Sequence, residues 1–182
     1  PNINLAKKQI AGVETFARVR HPELGTLPPS IFMQGATENG LMRLTQLALS
    51  AALAAARNFS QLGINLRVAV NVPVSALVTL PIADMVRELG PKHVRWPGLI
   101  LDVTEAQVVD DVARVLAVSQ DLAAQNVSLA IDDFSGGKLT MAQLKELPFS
   151  ELKLDRTFVD GCATNAGRAQ ICASVIELAH HL

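Results

Sequence analysis

The stretch LAIDDFSGGKLT, residues 129–140, ends an apolar run with two adjacent carboxylates, Asp132 and Asp133, and continues into a glycine-bearing loop. The apolar residues before this pair have the length and character of the end of a buried strand. Two neighbouring negative charges at such a place are unfavourable unless a cation or hydrogen-bond donors lie opposite them. The stretch therefore predicts a buried strand whose carboxyl end carries a charged site.

Similar segments recur along the chain. Short apolar runs predict about five strands, and the longer segments between them have helical composition and periodicity. The strands are predicted at 11–16, 66–70, 99–103, 127–131 and 152–154, with at most a remnant at 3–5, and the helices at 41–59, 82–89, 108–124, 141–147 and 166–181. Buried strands joined by helices indicate a parallel sheet covered on both faces, either doubly wound or a β/α barrel.

The two ends of the chain bear on that choice. No complete strand is predicted before residue 11, and the sequence stops inside the last predicted helix. An eight-stranded barrel would therefore lack the start of its first strand and its last βα units. The length of 182 residues fits a single domain over 1–182.

Composition and charge exclude several classes of function. The net charge of −1, with charged residues spread along the chain, argues against nucleic acid or an anionic membrane as a partner, while a small anionic ligand is compatible. Cys162 and Cys172 have the spacing of no zinc motif. The apolar stretch 47–56 is too short to span a bilayer and the first residues lack a signal-peptide core, which predicts a cytoplasmic domain; tethering through other segments stays open.

Oxygen-bearing side chains recur at the carboxyl ends of the predicted strands. Because those ends form one face of a parallel α/β fold, the side chains should meet in one cleft. They are Glu14, Asn71, Asp102, Asp132 and Asp133, with Lys153 as a cation among them. Carboxylate and amide oxygens without clustered His or Cys favour Mg²⁺, Mn²⁺ or Ca²⁺ over zinc, and the Asp pair could hold two ions for phosphoester hydrolysis. Asn71 and Asp102 are equally compatible with helix caps or turns.

Five blocks of the sequence resemble, in order, those of one family. They are GVETFARVRHPELGTLPPSIF (12–32), VNVPVSAL (70–77), LILDVTEAQ (99–107), LAIDDFSGGKLTMAQLKELPFSELKLDRTFVDG (129–161) and ICASVIELAH (171–180). Over essentially its whole length the chain is similar to the EAL domain, a family of phosphodiesterases that cleave cyclic di-GMP to linear pGpG. The resemblance implies a modified TIM-like β/α barrel whose first strand runs antiparallel, with two Mg²⁺ or Mn²⁺ ions in its site.

The resemblance also implies the metal ligands. Glu14 matches the glutamate of the naming motif, and Asn71 matches the metal-binding asparagine. Asp132 and Asp133 match the metal-bridging pair, while Asp102 lies where the family usually has a ligand glutamate. These five residues are the expected metal ligands.

Further roles follow from the same resemblance. Lys153 matches the lysine that helps to position the attacking water, and it forms the expected catalytic pair with Asp133. Arg18 matches the arginine that faces the substrate phosphate, and Phe16 lies on the substrate side. Glu105 matches the acidic residue that braces the loop after the Asp pair.

Departures from the family pattern bear on activity. The naming motif reads Glu-Thr-Phe in place of Glu-Ala-Leu, and Asp102 is one methylene shorter than Glu, which sets its carboxylate roughly 1 to 1.5 Å back where Mg²⁺ needs near-ideal geometry. The loop that usually reads DFGTGYSS here reads DFSGGKLT, with Lys138 in place of the aromatic ring. The family's later glutamate and its terminal substrate-binding glutamine lie beyond residue 182.

Three functions therefore stay open at the level of sequence. The first is a cyclic di-GMP phosphodiesterase with a two-metal mechanism. The second is a degenerate EAL domain that binds cyclic di-GMP without cleaving it, and the third is a non-binding scaffold for dimerisation or protein interaction. The expected partners besides cyclic di-GMP are a second copy in a homodimer and regulatory or sensor domains elsewhere in a longer protein.

Overall fold

The computed structural model describes residues 1–93, 95–136 and 138–182, which form eight strands and nine helices. The strands are β1 (Asn2–Asn4), β2 (Gln9–Thr15), β3 (Val19–His21), β4 (Gly25–Leu27), β5 (Arg67–Asn71), β6 (Leu99–Thr104), β7 (Val127–Phe134) and β8 (Phe149–Leu154). The helices are α1 (Pro29–Phe32), α2 (Glu38–Gln61), α3 (Val74–Leu77), α4 (Ile82–Leu89), α5 (Glu105–Val109), α6 (Val112–Ala123), α7 (Met141–Glu146), α8 (Arg156–Val159) and α9 (Ala166–His181).

Six of these strands form one mixed sheet in the order β1-β2-β5-β6-β7-β8. β1 pairs with β2 in the antiparallel sense, and every following pair is parallel. With its covering helices, the sheet forms half of a β/α barrel. The predicted fold class and the antiparallel first strand are therefore confirmed, and the predicted remnant at 3–5 is strand β1.

Two of the differences between the predicted and the observed elements have local reasons. The single helix expected at 108–124 is divided into α5 and α6, because Asp111 has a non-helical backbone with φ −149° and ψ 41°. The β3–β4 hairpin was not predicted; its strands have three residues each and its turn is held by the His21 ring. There His21 Nδ1 accepts hydrogen bonds from the N–H groups of Glu23 and Leu24, both at 3.2 Å.

The two faces of the sheet bury different side chains, because successive residues of a strand point to opposite faces. The helix-facing side chains are large and form the main core with the helices; among them are Val68, Val70, Leu99, Leu101, Leu129 and Ile131. On the inner face, Ala69, Ile100 and Ala130 form a small separate cluster. Immediately beyond this cluster, towards the carboxyl ends of the strands, the inner face becomes polar.

Helix α2 covers the outer face and contains the alanine-rich stretch of the sequence. Its first turn is capped by Thr37, whose side chain accepts a hydrogen bond from the N–H of Gly40. Leu49, Leu53 and Ala56 are buried against the core, so the stretch belongs to a packing face. Among the helices of the described residues, none combines the length and the hydropathy needed to cross a bilayer.

Candidate functional site

Four of the predicted site residues, from four different strands, meet at the carboxyl edge of the inner face. Asn71 and Asp102 are paired in register on neighbouring strands. Asn71 Nδ2 donates a hydrogen bond of 2.9 Å to Glu14 Oε1, and Lys153 Nζ lies 2.5 Å from Asp102 Oδ2 and 3.7 Å from Glu14 Oε2. We call Glu14, Asn71, Asp102 and Lys153 the carboxyl-edge cluster.

Asp102 is the most deeply buried member of this cluster, with 2% of its surface exposed. Its Oδ2 contacts Lys153, whereas its buried Oδ1 has no hydrogen-bond partner among the described residues. Burial raises the pKa of Asp102 to about 6, and the charges of Glu14 and Asp132 add to this against the opposing effect of Lys153. The cluster therefore holds more negative charge than one lysine neutralises.

The pKa of Lys153 is also raised. Burial lowers the pKa of its ammonium, but the hydrogen bond and the charge of Asp102, with Glu14 and Asp132, outweigh burial and leave the pKa above its ordinary value. Lys153 therefore stays protonated among these carboxylates.

Asp132 and Asp133 lie beside the cluster, at an irregularity of β7. The register between β7 and β8 shifts between Ile131 and Phe134, and Asp133 has a left-handed backbone with φ +52°. A shift of this kind redirects side chains at the end of a strand. Burial raises the pKa of Asp132, and Lys153 opposes the rise. Within the described part of the chain, neither carboxylate makes a side-chain hydrogen bond to the carboxyl-edge cluster.

The described donors at this edge match a divalent metal in chemical type but are not arranged around a common point. Across residues 1–93, 95–136 and 138–182, no three His, Cys, Asp or Glu side chains converge closely enough to hold an ion as they stand. The chemistry of the donors nevertheless fits a hard cation, because Glu14, Asn71, Asp102 and Asp132 offer oxygen atoms and one buried oxygen of Asp102 is unpaired. The donors therefore suit a divalent cation in their chemistry, and Lys153 would compete with that cation for the carboxylate of Asp102.

Glu105 anchors the loop that follows the Asp pair. It is 1% exposed, and each of its oxygens accepts two hydrogen bonds. Oε2 accepts from the N–H of Ser135 at 2.9 Å and from its hydroxyl at 2.8 Å, while Oε1 accepts from the N–H groups of Lys138 and Leu139 at 3.0 and 3.1 Å. Burial raises the pKa of Glu105, but these bonds outweigh burial and leave it lowered. The contacts are those that a loop-bracing residue requires.

Arg18 and Phe16 lie at the end of β2 and face solvent. The Arg18 guanidinium stands 5.6 Å from the centroid of the Phe16 ring, and its Nη1 donates to the carbonyl of Ala17 at 2.8 Å. Phe16 is 58% exposed. Among the described residues, neither side chain makes a hydrogen bond or an ion pair with the carboxyl-edge cluster.

Two contributors were missed by sequence reasoning. The Thr15 hydroxyl donates to the carbonyl of Ala69 at 2.9 Å and ties the end of β2 to β5 beside Glu14. The Ser135 hydroxyl joins the Glu105 anchor. The available signal was that both positions carry a hydroxyl where the resembled family has alanine and glycine.

Comparison with known proteins gives a consistent result. The EAL domain family model matches residues 1–182. The chain is 34% identical over its whole length to "Cyclic di-GMP phosphodiesterase RocR" and 31% identical to "Bifunctional diguanylate cyclase/cyclic di-GMP phosphodiesterase MucR", both of Pseudomonas aeruginosa. It spans 47% of the length of RocR and 27% of that of MucR.

Solved structures show the same relationship. "PaMucR Phosphodiesterase, c-di-GMP complex" is 30% identical, with a TM-score of 0.85 over 98% of this chain and 74% of that chain. "Crystal structure of FimX EAL domain from Pseudomonas aeruginosa bound to c-di-GMP" is 20% identical, with a TM-score of 0.76 over 92% of this chain and 68% of that chain, and supports the fold alone. From the match along its full length and these relatives, the chain belongs to the EAL domain family.

Proposed function

We propose that residues 1–182 form one EAL domain that binds cyclic di-GMP and hydrolyses it to linear pGpG with divalent metal ions. The observation that carries this proposal is the convergence of Glu14, Asn71, Asp102 and Lys153 from four strands at one edge. The homology to cyclic di-GMP phosphodiesterases and to an EAL structure in complex with cyclic di-GMP supports the same substrate.

Each group has a role in this proposal. EAL phosphodiesterases generally depend on divalent metals, and Glu14, Asn71, Asp102, Asp132 and Asp133 would hold them here. When bound, such ions polarise the phosphate and lower the pKa of water. The chain itself supplies a protonated lysine beside the carboxylates, which orients the water that attacks phosphorus.

Substrate is held from the solvent side of the same edge. The Arg18 guanidinium, steadied by the Phe16 ring and the carbonyl of Ala17, binds a phosphate oxygen of the ligand. The Phe16 ring offers an apolar face to the rest of the ligand, in place of the leucine of the family motif. Ordering of Arg18 before binding reduces the entropy lost when the phosphate is captured.

Product analysis tests hydrolysis. Cyclic di-GMP incubated with the protein and Mn²⁺ should give pGpG, and chelation of the metal should abolish the product. Formation of pGpG at the same rate with a chelator in excess would contradict the role of the metal.

Binding without cleavage is a second candidate, favoured by the buried contact between Asp102 and Lys153. That contact occupies an oxygen that a metal would need, while Arg18 and Phe16 stay accessible. Isothermal titration with cyclic di-GMP, with and without Mn²⁺, separates the two candidates. Affinity that is independent of Mn²⁺, without pGpG, supports this second function.

The Arg18→Ala variant tests either mode of binding. Loss of a charge-assisted bond to phosphate should weaken cyclic di-GMP binding by about tenfold or more. Arg20→Ala, on the neighbouring hairpin, is the matched control and should leave affinity unchanged. Equal affinity of wild type and Arg18→Ala would exclude the proposed phosphate contact, and no binding by the wild type would leave the scaffold function.

A further inference from the structure

The end of β7 holds a strained residue at the place where the site needs a fixed carboxylate. Asp133 has φ +52°, in the left-handed region that residues other than glycine seldom adopt. Such a conformation persists only where neighbouring contacts enforce it. The residues that follow Asp133 are therefore expected to be clamped.

Hydrogen bonds of Phe134 and Ser135 hold this segment. Phe134 is 2% exposed, and its carbonyl accepts a hydrogen bond of 3.1 Å from the N–H of Asp155. Ser135 then contributes both its N–H and its hydroxyl to one oxygen of Glu105, at 2.9 and 2.8 Å. Glu105 begins α5, directly after the strand that bears Asp102. The Ser135 contact thus joins the segment that carries Asp102 to the segment that carries Asp132 and Asp133.

The hydroxyl is the part of this contact that depends on the side chain. The N–H of Ser135 would be present with any residue except proline, so only Oγ distinguishes this sequence from one with glycine or alanine there. A hydrogen bond to a buried carboxylate is among the stronger ones in proteins. Serine also has less backbone freedom than the glycine of the resembled loop.

We infer that Ser135 is a positioning residue: its hydroxyl bond to Glu105 fixes the left-handed backbone of Asp133 and so aims the Asp132–Asp133 pair for metal binding. This inference rests on the proposed function, since it concerns the metal ligands of that site. Ser135 is not itself one of the expected metal ligands and acts through Glu105.

The test compares Ser135→Ala, Ser135→Gly and Ser135→Thr by titration with Mn²⁺ alone and by amide hydrogen exchange of residues 133–139. Removing the hydroxyl should weaken Mn²⁺ binding by about tenfold and speed exchange in this segment, while threonine should restore both to within about twofold of the wild type. In turnover, kcat should fall in Ser135→Ala with KM unchanged. The control is Ser119→Ala, which deletes a hydroxyl that donates to the Leu116 carbonyl within α6, away from the loop.

The outcomes separate this inference from the proposed function. If the wild-type protein binds no Mn²⁺, the proposed function is wrong. Amide exchange in residues 133–139 then tests on its own whether the Ser135 hydroxyl holds the segment. Exchange unaltered in both Ser135→Ala and Ser135→Gly would overturn the inference, as would a threonine variant no better than alanine. Weakened Mn²⁺ binding in Ser119→Ala to the same extent would also overturn it, because the effect would then be one of general stability.

Discussion

Asp102 and Glu105 lie three residues apart, at the end of β6 and the start of α5, and both are almost completely buried. Glu105 has both oxygens saturated by four hydrogen bonds, and its pKa is lowered. Asp102 has one lysine contact and one unpaired oxygen, and its pKa is raised to about 6. The two acids are therefore almost equally buried, yet their pKa values are shifted in opposite directions.

The difference lies in how completely each anion is compensated. A carboxylate that accepts hydrogen bonds from a folded loop stabilises that loop and is structurally fixed. One that is buried with an unpaired oxygen costs stability and is retained where a ligand completes its environment. The comparison therefore indicates a structural role for Glu105 and supports the proposal that Asp102 binds a ligand.

The largest expected effect comes from neutralising each acid with its isosteric amide. Glu105→Gln should lower the free energy of unfolding by about 2–3 kcal/mol, because loop donors lose an anionic acceptor. Asp102→Asn should change it by less than about 1 kcal/mol, because relief of a poorly compensated buried carboxylate offsets the loss of its contact with Lys153, and Lys153 keeps Glu14 as a partner. Urea denaturation measures both, and equal losses in the two variants would remove the distinction.

A smaller effect is expected when the side chain of Asp102 is lengthened. Asp102→Glu restores the reach of the family's usual ligand and should strengthen Mn²⁺ binding about tenfold, because metal ions demand near-ideal ligand geometry. Asp84→Glu, at an exposed carboxylate paired with Arg87, is the control. Isothermal titration with Mn²⁺ that finds weaker binding in Asp102→Glu would show that the shorter acid suits the site.

The smallest expected effect is on the pH dependence of the free energy of unfolding, to which Asp102 and Glu105 should contribute with opposite signs. The raised pKa of Asp102 means that its contribution is fully present below the ordinary value of 3.8 and is lost as pH rises through about 6. The lowered pKa of Glu105 means that its contribution is present above the ordinary value of 4.5 and is lost as pH falls below it.

Unfolding of wild type, Asp102→Asn and Glu105→Gln over this range measures the two contributions. Acidification from neutrality should raise the stability of wild type relative to Asp102→Asn. The advantage of wild type over Glu105→Gln should stay constant until the pH falls below the ordinary glutamate value. Parallel curves for all three proteins would contradict both assignments.

Much of the fold was predictable because its signals are periodic. Runs such as 99–103 and 127–131 are apolar except for Asp102 and Ser128, as expected of strands buried on both faces, and α2 has strong helix formers along most of its length. The β3–β4 hairpin escaped because its three-residue strands are too short for a period to show. The break between α5 and α6 depends on the backbone of Asp111 alone.

The site was predictable in its members but not in its contacts. Polar residues after apolar strands indicated Glu14, Asn71, Asp102 and Lys153, because parallel topology brings strand ends together. The pairing of Lys153 with Asp102, the left-handed backbone of Asp133 and the unpaired oxygen of Asp102 depend on three-dimensional placement. The metal-binding and catalytic roles stay predictions.

The most direct test of metal-dependent hydrolysis replaces the Asp pair. With Mn²⁺ and cyclic di-GMP, the double variant Asp132→Asn and Asp133→Asn should form pGpG more than about 100-fold more slowly than the wild type. Loss of residues that only support metal ligands typically lowers activity about 10- to 100-fold, and loss of the ligands themselves should lower it further. The adjacent pair Asp110–Asp111, of which Asp111 forms a surface ion pair with Arg114, provides a matched control that should keep its activity when changed in the same way. Turnover that survives in the Asp132–Asp133 variant at the wild-type rate would contradict the proposed role of these carboxylates.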